Sequence, residues 1–230
     1  MSSFDLTTMR CPSCGKDFEG GTADSINVTR MPWAKEQILA GELHRVECPH
    51  CHARHTVDRS FLYTDMTLGH FVLVFPNAQL GEWPELELVA SRAFHDVVDQ
   101  GPPMVRAMAD TFRVRQVFGL RDLGDKLRLW EAGLDDTIVE LMKLELTQVP
   151  ALARRAELRL SVDGVLDSED RIAIRAWSLD GSLPDSSWGA PLARYRELAS
   201  RRAELVERYP GLFLRPYVSY RRLAREEIDK

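Results

Sequence analysis

Two short motifs, each with two cysteines three positions apart around a proline, constrain this chain more than any other feature. The first runs from Cys11 to Cys14 and the second from Cys48 to Cys51, and the chain has no other cysteine. Cysteines at this spacing in a tight turn can direct both sulfur atoms at one point, and the proline sets φ for the turn. Two such turns supply the four thiolates of a tetrahedral zinc site. The sequence therefore predicts one structural Zn²⁺ held by Cys11, Cys14, Cys48 and Cys51.

Disulfide, redox and iron chemistry are the other uses of paired cysteines. Residues 1–10 lack the pattern of a secretory signal, so we expect a cytoplasmic and reducing location, which argues against disulfides. A redox dithiol of the thioredoxin type needs one reactive pair, usually at the start of a helix, whereas this chain has two pairs followed by strand-like residues. Iron in place of zinc stays open, because four cysteines also bind iron.

The second motif differs from the first at the position after its last cysteine. Gly15 allows the left-handed conformation that closes the first turn, whereas His52 stands at the equivalent place and is expected to take a positive φ. His50 and His55 lie close by in the sequence. One of these histidines could be a ligand or a proton shuttle, but four thiolates already saturate the metal, so we interpret all three as polar residues of an exposed turn. A closed site has no position for a reacting water, so the metal is predicted to stabilise the fold.

Composition excludes several classes of protein. In 230 residues, enough for one or two domains, no apolar run approaches the roughly 20 residues of a membrane helix. The formal net charge of −5 argues against bulk attraction to nucleic acid or anionic membranes. Residues 191–230 nevertheless contain ten basic and six acidic residues, a local excess of positive charge. We expect a cytoplasmic protein that does not enter a membrane.

Hydrophobic periodicity predicts an α+β fold. A strand–helix–strand segment separates the two motifs, and its helix opens at Pro32 and stops at Gly41. The strands predicted elsewhere cover residues 25–30, 54–66, 70–76 and 111–119, with a hairpin over 156–181. The other predicted helices cover residues 83–101, 120–133, 135–149 and 191–209.

The sequence is interpreted as two regions. An N-terminal zinc-ribbon-like β domain with an inserted helix is predicted over residues 1–115. A C-terminal α+β region, helical and then β-hairpin, is predicted over residues 116–230 and ends in a long amphipathic helix. The Gly-Pro-Pro sequence at 101–103 is the clearest break in the chain.

No catalytic motif emerges from the sequence. Residues 119–126 look like a phosphate-binding loop, but that loop needs lysine directly after its second glycine, where this chain has Asp125. Asp135, Asp136 and Glu140 could form a pair of catalytic acids, yet acidic residues in the first turn of a helix are expected from capping and the helix dipole. We therefore predict a protein that is not an enzyme.

The two Cys-Pro-x-Cys motifs, the Leu-Tyr-Thr-Asp-Met segment before an apolar strand, and the helical segment at 117–143 with its Gly-Leu-Asp-Asp turn together resemble the bacterial CpXC-domain family. The resemblance covers roughly the first 150 residues. It implies a zinc-binding domain whose ligands are the same four cysteines. It implies no established biochemical activity.

Three functions remain open at the level of sequence. The first is a cytoplasmic zinc-stabilised module that binds, sequesters, inhibits or otherwise regulates a protein partner, with self-association as one version. The alternative is a nucleic-acid-binding zinc ribbon, supported by the basic C-terminal segment in which Tyr217 and Tyr220 lie among arginines. The second alternative is an enzyme with an unrecognised site.

Overall fold

A computed structural model describes residues 2–152, 158–178 and 185–228, and the fold of these residues is mixed α and β. The chain divides into two units, Met1–Gly124 and Asp125–Lys230, which we call unit 1 and unit 2. Among the described residues, none of the helices combines the length and the apolar character needed to cross a bilayer.

Unit 1 is built on an N-terminal sheet and a separate short hairpin. Its strands are β1 (Ser3–Arg10), β2 (Asp17–Asn27), β3 (Arg45–Glu47), β4 (Arg54–Thr56), β5 (Phe61–Asp65), β6 (His70–Phe75) and β7 (Arg113–Phe118). Within the described residues the sheet has the order β1-β2-β5-β6-β7, and β3 pairs with β4 alone. The β2–β5 and β6–β7 pairs are parallel and the other pairs antiparallel. The chain therefore leaves the main sheet after β2 and returns to it at β5.

Helices occupy the two parallel crossovers. They are α1 (Pro32–Ala40), α2 (Trp83–Gln100) and α3 (Pro103–Ala107), followed after β7 by α4 (Gly119–Glu131). Short 3₁₀ turns precede α2 and follow α3. Pro32 opens α1 and Gly41 closes it in the left-handed conformation with φ 71°, as the sequence predicts. The predicted strand–helix–strand segment between the cysteine motifs is thus confirmed.

Unit 2 packs helices against a small antiparallel sheet. Its remaining elements are α5 (Asp136–Thr147), β8 (Leu158–Leu166), β9 (Arg171–Ser178), β10 (Ser186–Pro191), α6 (Leu192–Ser200), α7 (Arg202–Arg208), α8 (Pro210–Leu214) and α9 (Tyr220–Ile228). The predicted hairpin is confirmed as β8 and β9, and β10 adds a third strand beside β9. The hairpin residues 156–157 and 179–181 lie outside the described residues. One apolar core joins α5, the sheet and the C-terminal helices.

The long C-terminal helix predicted over 191–209 is wrong as a single element. Arg201 leaves helical geometry, with φ −99° and ψ 18°, and separates α6 from α7. Arg201 forms an ion pair with Glu204, and Arg202 forms one with Asp135. Leu198 and Leu205 are buried on either side of the break. The helical spacing of apolar residues continues through a one-residue turn, so the pattern did not indicate the interruption.

Two strands of the N-terminal sheet also differ from the sequence interpretation. Strand β2 begins at Asp17, well before the predicted start at residue 25, and it passes through Gly20 and Gly21. Strand β1 was not predicted at all, because most of its residues are exposed and it carries no buried apolar face. The zinc-ribbon-like description of the first region stays a prediction, as does its border at residue 115.

Candidate metal centre

The two cysteine motifs occupy equivalent turns at the ends of two hairpins. The first turn joins β1 to β2 and the second joins β3 to β4. In the first, the Cys11 amide donates to the Lys16 carbonyl at 2.9 Å and the Gly15 amide donates to the Cys11 carbonyl at 2.8 Å. In the second, Cys48 and Ala53 repeat the former bond at 2.9 Å, and the amide of residue 52 repeats the latter at 2.8 Å. The same backbone pattern therefore presents both pairs of thiols.

The left-handed conformation needed to close each turn is present in both. Gly15 has a φ of 72° and His52 a φ of 59°. The positive φ expected for His52 is confirmed. Since the imidazole is 79 % exposed, the turn accepts a side chain at a position where glycine is easier.

The four sulfur atoms converge on one point. The Sγ atoms of Cys11 and Cys51 lie 3.6 Å apart and those of Cys14 and Cys48 lie 3.8 Å apart. All four sulfurs lie within 4.8 Å of one another. A disulfide bond of about 2.05 Å is therefore absent from each of these pairs. Zinc–sulfur bonds of about 2.3 Å in a tetrahedron require sulfur separations of about 3.8 Å, so the four thiols fit a tetrahedral metal.

A small apolar cluster supports this centre from one side. Cys11 and Cys48 are 1 % and 0 % exposed and pack with Phe18 and Val46, whereas Cys14 and Cys51 are exposed. One cysteine of each motif thus anchors the turn in the cluster, and the other closes the site toward the surface. Four protein sulfurs around one ion would leave no position for a fifth, reacting group.

The pKa values of two thiols at the centre, those of Cys11 and Cys51, are shifted in opposite directions. Burial raises the pKa of the Cys11 thiol, but hydrogen bonds from the Cys14 and Ser13 backbone and from His55 outweigh it and lower the pKa to about 6. The Ala53 backbone lowers the pKa of Cys51, but burial and the three neighbouring sulfurs raise it to about 12. With this raised pKa, the Cys51 thiol keeps its proton at neutral pH unless a cation is bound. A bound divalent metal would release the remaining protons and supply a crosslink between the hairpins.

The three histidines of the second motif have different surroundings. His55 Nε2 lies 3.5 Å from Cys11 Sγ and can donate a hydrogen bond to that sulfur. His52 Nδ1 lies 3.3 Å from a Glu47 carboxylate oxygen, and His50 Nε2 lies 3.4 Å from the Asp17 carbonyl. None of the three is needed to complete the set of four sulfurs. His55 is placed to orient Cys11 and to offset the charge of its thiolate, which is how groups outside a metal's ligand set commonly act.

A second polar cluster lies in unit 2, and reasoning from the sequence alone missed it. Two lysines and three acids, all buried, contact one another along α4 and α5. Lys126 Nζ lies 3.2 Å from both Asp136 and Glu140, and Lys143 Nζ lies 3.0 Å from Glu140 and 3.1 Å from Asp125. The side chains are at most 4 % exposed. A helical plot of the two segments shows polar residues at i, i+4 spacing, but only packing reveals that this face is buried.

Further bonds close this buried cluster. The Tyr220 amide donates to Glu140 at 2.9 Å, and Lys126 donates to the Val218 carbonyl at 2.8 Å. Burial raises the pKa of Glu140, but Lys126, Lys143 and the Tyr220 amide outweigh it, so the pKa lies below its ordinary value. Asp136 and Glu140, which the sequence suggested as possible catalytic acids, thus form buried ion pairs with lysines. Asp135 instead caps α5 by accepting from the Thr137 amide.

The C-terminal tyrosines lie inside unit 2. Tyr217 and Tyr220 are 2 % and 5 % exposed. The Tyr220 hydroxyl donates to the Leu158 carbonyl and accepts from the Leu160 amide, both at 3.2 Å. Arg222 is also buried and donates to the Tyr217 carbonyl. This segment anchors the last helix to the core, so its tyrosine rings do not form an exposed surface for stacking bases.

A cavity of about 160 Å³ lies in unit 1 beside α2. Phe71, Phe94 and Val97 line it together with eight further residues, none of them titratable. This cavity therefore offers neither an acid nor a base to a bound molecule.

A family model described as CpXC protein matches residues 9–143, which is more than half of the chain and includes all four cysteines. This chain belongs to the CpXC family. The matched region begins next to the first motif and ends within α5, so most of unit 2 lies beyond it. No curated protein and no solved structure matches the chain.

Proposed function

We propose that this CpXC protein is a zinc-stabilised protein-interaction module that binds, sequesters or inhibits a partner and is not an enzyme. The convergence of four sulfurs from two hairpins carries the proposal, because a closed tetrathiolate centre is architectural. The two hairpins then form a zinc-ribbon-like substructure of unit 1. We place the protein in the cytoplasm, where a reducing environment keeps the four thiols available to the metal.

The environments of the considered acids support a role without catalysis. Glu140 and Asp136 are enclosed with lysines, and Asp135 is used as a helix cap. A general acid or base must reach a proton of its substrate directly or through one water molecule. Side chains that are almost fully enclosed and already ion-paired do not meet that condition.

The nucleic-acid alternative loses the observation that favoured it. Its support was a basic segment with aromatic residues between arginines, and both tyrosines of that segment are buried. Acidic residues also lie near the cysteine motifs, among them Asp17, Glu19 and Glu47. Recognition of a phosphate backbone needs clustered exposed cations and shows a steep salt dependence. We therefore keep a protein as the partner.

Metal content tests the first half of the proposal. The chain purified without air is expected to contain one zinc ion per molecule by elemental analysis. C48S should lose most of this zinc, whereas S13A, which changes a non-ligand residue of the first turn, should retain it. If the chain instead contained one iron ion and showed visible thiolate-to-iron absorption, the metal in the proposal would be iron and not zinc. Absence of any stoichiometric metal from the wild type would overturn the proposal.

Partner capture tests the second half. A tagged chain is crosslinked in the native cell, and a recovered protein is purified and titrated against the wild type, S13A and C48S. Saturable binding of the wild type and S13A, weakened at least about tenfold in C48S, is expected if the metal holds the binding surface. A measured turnover, or a shift of DNA or RNA at low salt without a protein partner, would contradict this role.

A further inference from the structure

The cavity in unit 1 lies between one face of the main sheet and α2. Its lining comes from the neighbouring strands β2, β5 and β6 and from α2, α3 and Phe112. Helix α2 packs mainly against β6 and β7, whereas the cavity also reaches β5 and β2, the next two strands in the sheet order. The cavity therefore extends along the sheet beyond the strands that the helix covers.

The sheet register places three lining residues in one row. Asn27 of β2 pairs with Thr64 of β5, and Thr64 pairs with Phe71 of β6. Side chains of directly paired residues lie on the same face of a sheet. Asn27 and Thr64 are half-buried, whereas Phe71 is 2 % exposed. The row therefore passes from a polar end at β2 to an apolar end at β6.

Aromatic rings form the apolar end of the cavity. The rings of Phe71 and Phe94 lie with their centroids 5.2 Å apart and their planes at 69°, an edge-to-face contact. The rings of Phe94 and Phe112 have centroids 5.9 Å apart and planes at 51°. Aromatic pairs prefer edge-to-face or offset contacts at such separations over a face-to-face sandwich. A further ring inside the cavity could extend the same kind of contact.

The lining is polar in places but carries no charge. Its polar side chains are those of Ser25, Asn27 and Thr64. Asn27 Oδ1 accepts from the Thr29 amide at 3.1 Å, and the Thr64 hydroxyl donates to the Ile26 carbonyl at 3.3 Å. The Asn27 side-chain NH₂ group and the Thr64 oxygen lone pairs therefore suit one polar group of a ligand. An ion would lose its hydration here without meeting an opposite charge, so the lining selects against charged molecules.

The volume of the cavity sets the size of the ligand. Protein interiors contain few voids larger than a water molecule, whereas this cavity measures about 160 Å³. A cavity of about 150 Å³ lined by leucine, isoleucine and phenylalanine binds benzene. We propose that the cavity binds a small neutral molecule with a single aromatic ring and one hydrogen-bonding substituent. This ligand site goes beyond the proposed interaction role and contains none of the four cysteines.

Phenol titrated into the metal-loaded chain tests the site by nuclear magnetic resonance. Saturable shifts are expected for the amides of Val98 and Phe112, with a dissociation constant of about 1 mM or below. Intermolecular Overhauser contacts should join the phenol protons to the Val97 methyl groups and the Phe94 ring. Absence of saturable shifts up to about 10 mM, or contacts with other parts of the chain only, would overturn the inference.

Two valines of α2 provide a matched pair of variants. Val97 and Val89 are 45 % and 46 % exposed, but only Val97 lines the cavity. V97F should abolish saturable phenol binding, because the larger side chain occupies the cavity. V89F should bind phenol as the wild type does. Equal phenol affinity of V97F and the wild type, with the fold of V97F verified by its amide spectrum, would overturn the site.

Two further probes test the class of ligand. Cyclohexanol has a similar size and the same hydroxyl group as phenol but no aromatic ring, so it should bind at least about threefold more weakly. Benzoate keeps the ring but carries a charge, so it should bind at least about tenfold more weakly than phenol. Equal binding of cyclohexanol would overturn the aromatic class, and equal binding of benzoate would overturn the neutral one.

These outcomes are distinguishable from those that test the proposed function. A chain that holds one zinc and binds a captured protein but not phenol contradicts only the ligand site. A chain that binds phenol in the cavity but lacks zinc or shows a turnover contradicts only the proposed function.

Discussion

Residue 52 shows how one backbone angle links the two cysteine motifs. Gly15 and His52 have nearly the same positive φ and donate the same kind of backbone hydrogen bond. A residue with a side chain pays an energetic penalty of roughly 1 kcal/mol or more in this conformation, whereas glycine does not. The hydrogen bonds of the second turn and the positions of its sulfurs therefore hold His52 at a positive φ that histidine does not favour by itself.

Exchanging these residues should change stability in opposite directions. G15A is expected to lower the free energy of unfolding of the metal-loaded protein by about 1 kcal/mol, because alanine is strained at positive φ. H52G should raise it by up to about 0.5 kcal/mol, since relief of strain exceeds the greater freedom of glycine in the unfolded chain. Urea unfolding at constant zinc concentration measures both. Equal destabilisation by the two variants would contradict this explanation.

Glu140 gives unit 2 a predictable pH dependence. Its pKa in the folded chain lies below the ordinary value of 4.5, so its contribution to stability is present above about pH 4.5. That contribution is lost as the pH falls through the pKa of the folded state. E140Q should therefore cost about 3 kcal/mol at pH 7, because two buried lysines lose a charged partner. The difference from the wild type should shrink steadily below about pH 4.5.

Urea unfolding of unit 2 at pH 7, 5 and 3.5 measures this difference. E145Q is the control, because Glu145 forms an ion pair with Arg194 at a side-chain exposure of 46 %. An exposed pair contributes at most about 1 kcal/mol. If E140Q lost the same stability at every pH, Glu140 would not be ionised in the folded chain.

At the scale of elements, the β3–β4 hairpin is the part of the fold that we expect to depend most on a bound metal. Its strands have three residues each and pair only with each other among the described residues. An isolated two-stranded hairpin is at best marginally stable in water. The apolar cluster around Cys48 and Val46 adds little surface, so the metal crosslink is expected to supply the remaining stability.

Amide hydrogen exchange measures this dependence. In C51S, or after chelation, the amides of His52 and Val57 should exchange at least about tenfold faster, because their bonds to Cys48 and His44 no longer persist. Amides at the centre of the β5–β6 pair should change much less, since that pair is part of the main sheet. S13A should behave as the wild type. Uniform acceleration across unit 1 would show that the whole unit depends on the metal.

At the scale of the whole molecule, the candidate metal centre and the buried ion pairs lie in different units. The four cysteines lie in unit 1, whereas the buried charged cluster and the large apolar core lie in unit 2. We expect each unit to have its own source of stability. Removal of a bound metal should therefore destabilise unit 1 and leave the stability of unit 2 almost unchanged.

Chelation is expected to divide thermal unfolding into two transitions. The transition of unit 1 should move to lower temperature after zinc removal, and that of unit 2 should stay within a few degrees. Differential scanning calorimetry with E140Q as a companion variant assigns them, because E140Q should lower only the transition of unit 2. A single transition that moves to lower temperature both after chelation and in E140Q would contradict independent stabilisation of the two units.

The sequence alone was sufficient to identify the four converging cysteines, because ligand type and spacing are local properties. It also placed Pro32, Gly41 and Pro76 correctly at element ends, since these residues restrict or release φ regardless of their surroundings. The acceptance of His52 at positive φ followed from comparing one motif with the other.

Tertiary packing decided what local pattern cannot encode. The same apolar periodicity runs through α6 and α7, and only their separate contacts with the core reveal the turn at Arg201. Asp136 and Glu140 have the spacing of an exposed acidic face, yet the lysines of α4 and α5 enclose them. Strand β1 owes its position to pairing with β2, and its open edge follows from sheet order. Burial and strand neighbours depend on residues distant in the chain, so they emerge only when the chain is folded.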